Sequence, residues 1–212
     1  MVSPTVTYLF DPLCGWCYGA SPVIQALAAR SDITLELAPT GLFSGGGRVL
    51  DAAFAEFAWL NDMRIAKLTG LRFTEAYRQQ VLGRHGSPFD STAATLALSA
   101  VKRVEPLREL QALVALQEAR YVQGLNTCDL TVVAQVLRDM GLAEAADLLL
   151  APDDDLKALN ALRVVLAQTL KRRFGAQGVP AITVTDAKGS RMLNSNLLFG
   201  PVDNLLWQIS AG

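Results

Sequence analysis

The chain has 212 residues, 51% of them apolar and 18% charged, with a formal net charge of −1. That composition excludes a disordered chain, and the balanced charge offers no basic face to nucleic acid or to an anionic membrane. No run of about eighteen apolar residues occurs, so no membrane span is expected.

The opening "MVSPTVTYLF" carries no Lys or Arg and leads straight into strand-like sequence. No secretory signal is expected, and the predicted home is a reducing cytoplasm. Residues 5–10, "TVTYLF", are β-branched, aromatic and apolar, and predict a short buried strand. "WCYGASPVIQALAAR" predicts a helix, with Pro22 forcing a kink or a fresh start capped by Ser21. "ITLELAP" (33–39) alternates with period two and predicts a second strand, followed by a glycine-rich loop at 41–48.

The middle of the chain is helical. Residues 51–69 place Phe54, Phe57, Ile65 and Leu68 on one face, with Gly70 as a stop. Further helices are predicted at about 74–82, 90–103, 106–123, 129–140 and 142–150. A long one follows at 153–173, with Leu156, Leu159, Leu162, Leu166 and Leu170 as its apolar face. "VPAITVTDAKGSRMLN" then predicts a hairpin turning at 186–189, and residues 201–210 a closing helix with Pro201 near its first position. Strands at both ends, separated by helices, predict a partly parallel α/β sheet with a helical domain inserted into it. The expected boundaries are 1–47 with 174–212 for the sheet domain and 48–173 for the insert.

Cys14 and Cys17 sit between the first strand and the first helix. A cysteine at a helix start faces unpaired backbone N–H groups and the positive end of the helix dipole, which favour the nucleophilic thiolate. Cys17, one turn on, is placed to open or close a disulfide with it. Gly15 is expected to permit a tight turn, and Trp16 to offer a flat surface to a partner. A structural zinc site needs four ligands, and only Cys128 and His85 remain to supply them. A passive buried pair is the other bland alternative. Strand, Cys-x-x-Cys and helix in succession are the context that redox chemistry requires. "GVPAITV" is the second signal, because a proline directly before an apolar strand removes a ladder donor. A cis Val179–Pro180 bond would bring the Val179 backbone beside the cysteines.

"FDPLCGWCYG", a long helical insertion and then "GVPAITV" resemble the DsbA family of the thioredoxin superfamily, and most closely its FrnE-like and disulfide-isomerase-like branch. "AKLTGLRFTEAY" (66–77) and "SPFDSTAATLAL" (87–98) carry the likeness into the insert. The resemblance implies a thioredoxin-like fold with a large inserted helical domain, and thiol–disulfide exchange without a cofactor. It assigns Cys14 as the attacking thiol, Cys17 as the resolving thiol and Pro180 as the cis-proline. Protein or small-molecule disulfides are the implied substrates, with a thiol as electron donor or acceptor. The central dipeptide Gly15-Trp16 departs from the Pro-His of periplasmic DsbA, so the direction of exchange stays open. The rivals are a kappa-class glutathione transferase-like or isomerase-like enzyme on the same fold, which usually has serine where Cys14 stands, and a non-catalytic thiol module holding a soft metal or a partner.

Other features predict less. Gly45-Gly46-Gly47 lacks the Lys-Ser/Thr of a phosphate loop and reads as a flexible crossing. His85 is expected on a surface loop and Cys128 as a passive thiol in the first turn or cap of a helix. Asp153-Asp154-Asp155 reads as a helix cap. Asp11, three residues before Cys14, would oppose thiolate formation if it approached the sulfur.

Overall fold

The computed structural model describes residues 3–211. Four strands form one sheet in the order β2-β1-β3-β4. β1 (Thr5–Phe10) and β2 (Thr34–Pro39) pair in parallel, from Thr5 opposite Thr34 to Phe10 opposite Pro39. β3 (Ala181–Asp186) runs antiparallel to β1, with Leu9 opposite Ala181, and β4 (Gly189–Leu193) closes the hairpin predicted there. β1 is central and almost wholly buried, as its apolar run requires. This register has a functional consequence. The end of β1 and the start of β3 lie at the same edge, so the Cys14 loop and Val179-Pro180 meet although 165 residues separate Cys14 from Val179.

The first helix is two pieces. α1 (Gly15–Gly19) ends at Ala20, and α2 (Ser21–Ala28) starts anew with Pro22 in its first turn. Ser21 is a buried helical residue and makes no side-chain cap; Ala20 holds the cap position. The helices between β2 and β3 start with α3 (Ala52–Thr69), capped by Asp51 accepting from Phe54 N at 2.7 Å and stopped by Gly70 at φ 75°. α4 (Glu75–Tyr77) continues as a π turn over Arg78–Leu82. α5 (Thr92–Val104), α6 (Glu109–Tyr121, entered by a 3-10 turn), α7 (Leu130–Asp139), α8 (Ala143–Leu150) and α9 (Asp154–Arg173) follow. Asp153 caps α9, accepting from Leu156 N at 2.7 Å, and its other role is an ion pair with Arg103. After β4, a 3-10 turn at Ser195–Phe199 that the sequence pattern did not predict leads to α10 (Val202–Ala211).

Two helices bury only part of the expected face, Ile65 on α3 and Leu156 on α9 among it. On α3 the inward stripe is Ala55, Asp62 and Ile65, while Phe57 and Leu68 are exposed. The reason lies on α1. A Cβ on Gly19 would come within 2.6 Å of Ile65 Cγ2, and one on Gly15 would collide with Asp62 Oδ1. The two glycines form a groove that draws that side of α3 in. On α9 Leu162 and Leu166 are exposed, and Asn160 and Arg163 turn inward instead. Ser99 Oγ donates to Asn160 Oδ1 at 2.9 Å, and Arg163 donates to the Leu37 carbonyl and pairs with Glu109. A buried ion pair left unmade costs more than a leucine left in water, so the polar contacts set the helix rotation.

Candidate active site

Cys14 is the residue before the first helical turn, with extended φ −85° and ψ 117°, and its own N–H donates to the Asp11 carbonyl at 3.1 Å. Both cysteines are free thiols. Cys14 Sγ lies 3.6 Å from the Val179 carbonyl oxygen, to which it donates. The Val179–Pro180 peptide bond is cis. Four of the six residues singled out from the sequence, Cys14, Cys17, Val179 and Pro180, therefore gather at one sheet edge. Gly15 and Trp16 lie between the cysteines; Trp16 is half-buried, its ring edge-on to Phe199 at 5.2 Å.

The two thiols have different surroundings. Cys14 lines a cavity of about 310 Å³, walled by Phe43, Phe54, Phe57, Phe89 and Tyr121 and crossed at the rim by Arg48. The Arg48 guanidinium rests 4.8 Å over the Phe54 ring. Cys17 is sealed beneath, 1% exposed. Burial pushes its thiol well above the ordinary value, and the bond to Cys14, the Cys14 charge and the Asp11 charge add to the rise. Cys17 is thus held protonated.

Two tyrosines fix the motif. Tyr8 Oη, from β1, donates to the Cys17 carbonyl at 3.1 Å, and Tyr121 Oη, from α6, donates to the Leu13 carbonyl at 2.8 Å. Asp11 is wholly buried. Its carboxylate accepts from Leu13 N at 2.9 Å, Phe43 N at 3.1 Å and Ser91 Oγ at 2.8 Å, and so ties the motif to the loop after β2 and to α5. Burial raises its pKa, against the lowering effect of those bonds. Gly15 is needed for the close approach of Asp62 rather than for a turn, since its φ is not positive.

Sequence reasoning missed Asp62, Tyr77 and Arg120. Asp62 lines the cavity with Cys14, and Tyr77 Oη donates to its Oδ2 at 2.9 Å. Arg120 is 1% exposed behind the cavity floor, its guanidinium 5.7 Å from the Tyr77 ring, 5.4 Å from Phe89 and 5.9 Å from Tyr121. The available signal was a charge on an apolar seam: Asp62 stands three residues before Ile65, and Arg120 beside Ala119 and Tyr121. His85 is exposed on a turn before α5, and half-buried Cys128 precedes the Asp129 cap of α7; neither lines the cavity. No group of three or more His, Cys, Asp or Glu placed to hold a metal ion occurs among the described residues.

Solved structures share this fold. A search of curated proteins gave no match. The cytosolic disulfide reductase DsbM from Pseudomonas aeruginosa is 27% identical, with a TM-score of 0.86 over 98% of this chain and 100% of its own. The same protein solved with GSH aligns at 28% identity and a TM-score of 0.81, over 98% of both chains. A candidate disulfide isomerase from Nitrosomonas europaea, 22% identical with a TM-score of 0.80 over 99% of this chain and 100% of its own, shares the fold. The model of the DSBA-like thioredoxin domain matches residues 5–203, nearly the whole chain and both halves of the site. The chain belongs to the DsbA-like thioredoxin family and is a thiol–disulfide oxidoreductase.

Proposed function

We propose that the chain is a cytoplasmic disulfide reductase of small thiol-bearing molecules, glutathione-like disulfides among them. In this reading Cys14 is the attacking thiol, Cys17 the resolving thiol, and Val179 and Pro180 the backbone against which the substrate lies. Gly15 and Trp16 shape the approach. Residues 48–173 are an inserted unit that roofs a site built by 1–47 and 174–212. The observation that carries the reading is the contrast at the motif: Cys14 opens on a cavity of about 310 Å³ while Cys17 is sealed. That volume lies at the lower end of the range for small-molecule sites. The 27%-identical cytosolic reductase and its structure with GSH favour the same substrate class and compartment.

The chemistry follows from thiolate exchange. Cys14 Sγ attacks one substrate sulfur and forms a mixed disulfide. Cys17 Sγ then attacks Cys14 Sγ and releases the second substrate thiol. Two further thiols from a cytoplasmic pool return the pair to the dithiol.

The deciding measurement is the reduction potential of the Cys14–Cys17 pair, equilibrated with glutathione buffers. A reductase is expected near the thioredoxin value of about −270 mV. A potential near that of DsbA, about −120 mV, would make the protein an oxidant and overturn the reading.

A further inference from the structure

Asp62 shares the cavity wall with Cys14 and is 4% exposed. Its Oδ2 is taken by the Tyr77 hydroxyl. Its Oδ1 occupies the space that a side chain on Gly15 would fill, directly beside the Cys14 loop. The charged and titratable groups facing it are Tyr77 from α4, Arg120 and Tyr121 from α6, Cys14 from the motif and Arg48 from the rim. Burial raises the Asp62 carboxyl to about 7, against the lowering effects of the Tyr77 bond and the Arg120 charge. Near neutral pH both its forms are present, which suits a proton donor.

Exchange in this cavity creates a second anion. The sulfur expelled from a substrate disulfide leaves as a thiolate into largely apolar surroundings, where an unpaired charge is costly. We propose that Asp62 is the proton donor to that leaving sulfur, in a site whose floor is backed by the Arg120 cation. This rests on the exchange reading above. The Cys14 thiolate attacks R–S–S–R′, forming the Cys14–S–S–R bond and breaking the substrate S–S bond. The electron pair leaves on the R′ sulfur, the Asp62 proton moves to it, and R′SH departs, leaving Asp62 as a carboxylate. Cys17 Sγ then attacks Cys14 Sγ and expels the R sulfur, which takes up the proton that Cys17 gives up. Two electrons come from the dithiol, and the two protons come from Asp62 and Cys17.

The test uses two disulfides with reduced wild-type protein and with Asp62→Asn. An aromatic disulfide expels an acidic thiol that needs little help. An alkyl disulfide expels a basic thiolate that gains most from a donor. The ratio of alkyl to aromatic rates at about pH 6 is expected to fall about tenfold or more in Asp62→Asn. The wild-type ratio is expected to fall as pH is raised past about 7, and the variant's ratio to stay flat. An unchanged ratio, or an equal loss with both disulfides, would overturn the proton-donor role and leave exchange itself standing. Wild-type protein inert to both disulfides would overturn the exchange reading and this role together. If Asp62→Asn does not fold, the wild-type ratio decides: no pH dependence overturns the proposal.

Discussion

The sheet half and the helical half of this molecule treat their buried polar groups differently. Beside the sheet every such group of the motif has partners: Asp11 accepts three donors, Tyr8 donates to the Cys17 carbonyl, and Thr40 Oγ1 donates to Phe10 O at 3.0 Å. In the helices, Thr95 Oγ1, both polar atoms of Gln117 and all three side-chain nitrogens of Arg120 are buried with no hydrogen-bond partner among the described residues. Native interiors hold few such groups. Here they lie on α5 and α6, the second of which also carries Tyr121 into the cavity wall. Around the two sulfurs, the satisfied polar groups of the sheet half meet the unpartnered ones of the helical half.

The largest effect tests where the reaction resides. Cys14→Ser is expected to reduce disulfide turnover to background. Cys17→Ser should leave a thiol that accumulates trapped mixed disulfides, seen as an adduct mass on the intact protein. Turnover surviving in Cys14→Ser would place the attacking thiol on Cys17 or Cys128, the two thiols that remain.

Next in size is the pH dependence of stability. The Asp62 carboxyl rises from about 3.9 when unfolded to about 7 when folded, so the folded state binds this proton more tightly. The contribution is fully present below about pH 4 and is lost as pH rises through about 7. A shift of about three units corresponds to at most ~4 kcal/mol. Asp62→Asn keeps an acceptor for Tyr77 and removes the charge. The variant is therefore expected to be more stable than wild type at about pH 8 and little different at about pH 4, by urea midpoints at each pH. A stability difference independent of pH would show that Asp62 titrates at its ordinary value.

The same contrast explains what the sequence revealed. Apolar, β-branched runs at 5–10 and 181–186 and the period-two run at 33–39 announced the sheet, because such runs leave a signature that needs no knowledge of their partners. The placement of Cys14 beside Val179-Pro180 was legible for a similar reason: each short motif is read from its own sequence neighbours, before their meeting in space is known. The helix faces were legible only in part. Ile65 of α3 is buried as its period requires, yet Phe57 and Leu68 are exposed and the glycine groove of α1 takes in Asp62 beside Ile65. Leu162 and Leu166 satisfied the apolar period of α9, yet Glu109 and Ser99 drew Arg163 and Asn160 inward. Each choice depends on a residue from a distant segment, and a hydrophobic period carries no record of it.

Arg120 separates packing from charge. Its stem and guanidinium fill space among three aromatic rings. Arg120→Ala is expected to cost about 3 kcal/mol through the cavity it opens. Arg120→Met keeps most of the volume and removes an unpaired buried charge, so it should lie within about 1 kcal/mol of wild type. Chemical denaturation of both variants measures this. If Met proves as damaging as Ala, the guanidinium is held by partners and the helical interior is as well satisfied as the sheet.

The smallest effect has the cleanest sign. Thr95 and Thr40 are 1% and 2% exposed, so both hydroxyls are out of water. Valine has nearly the shape of threonine, and replacing either residue by valine isolates the hydroxyl. Thr40→Val deletes the 3.0 Å bond to the Phe10 carbonyl at the end of β1 and should destabilise by about 1 kcal/mol. Thr95→Val deletes a hydroxyl that has no partner and should stabilise by about 1 kcal/mol, since the desolvation already spent on it is recovered. The midpoints of urea unfolding for the two variants should therefore move in opposite directions. A loss of stability in Thr95→Val would mean that its hydroxyl is bonded in solution to an ordered water. The polar interior of the helices would then be hydrated and not empty of partners, and the contrast with the sheet half would be one of solvent access.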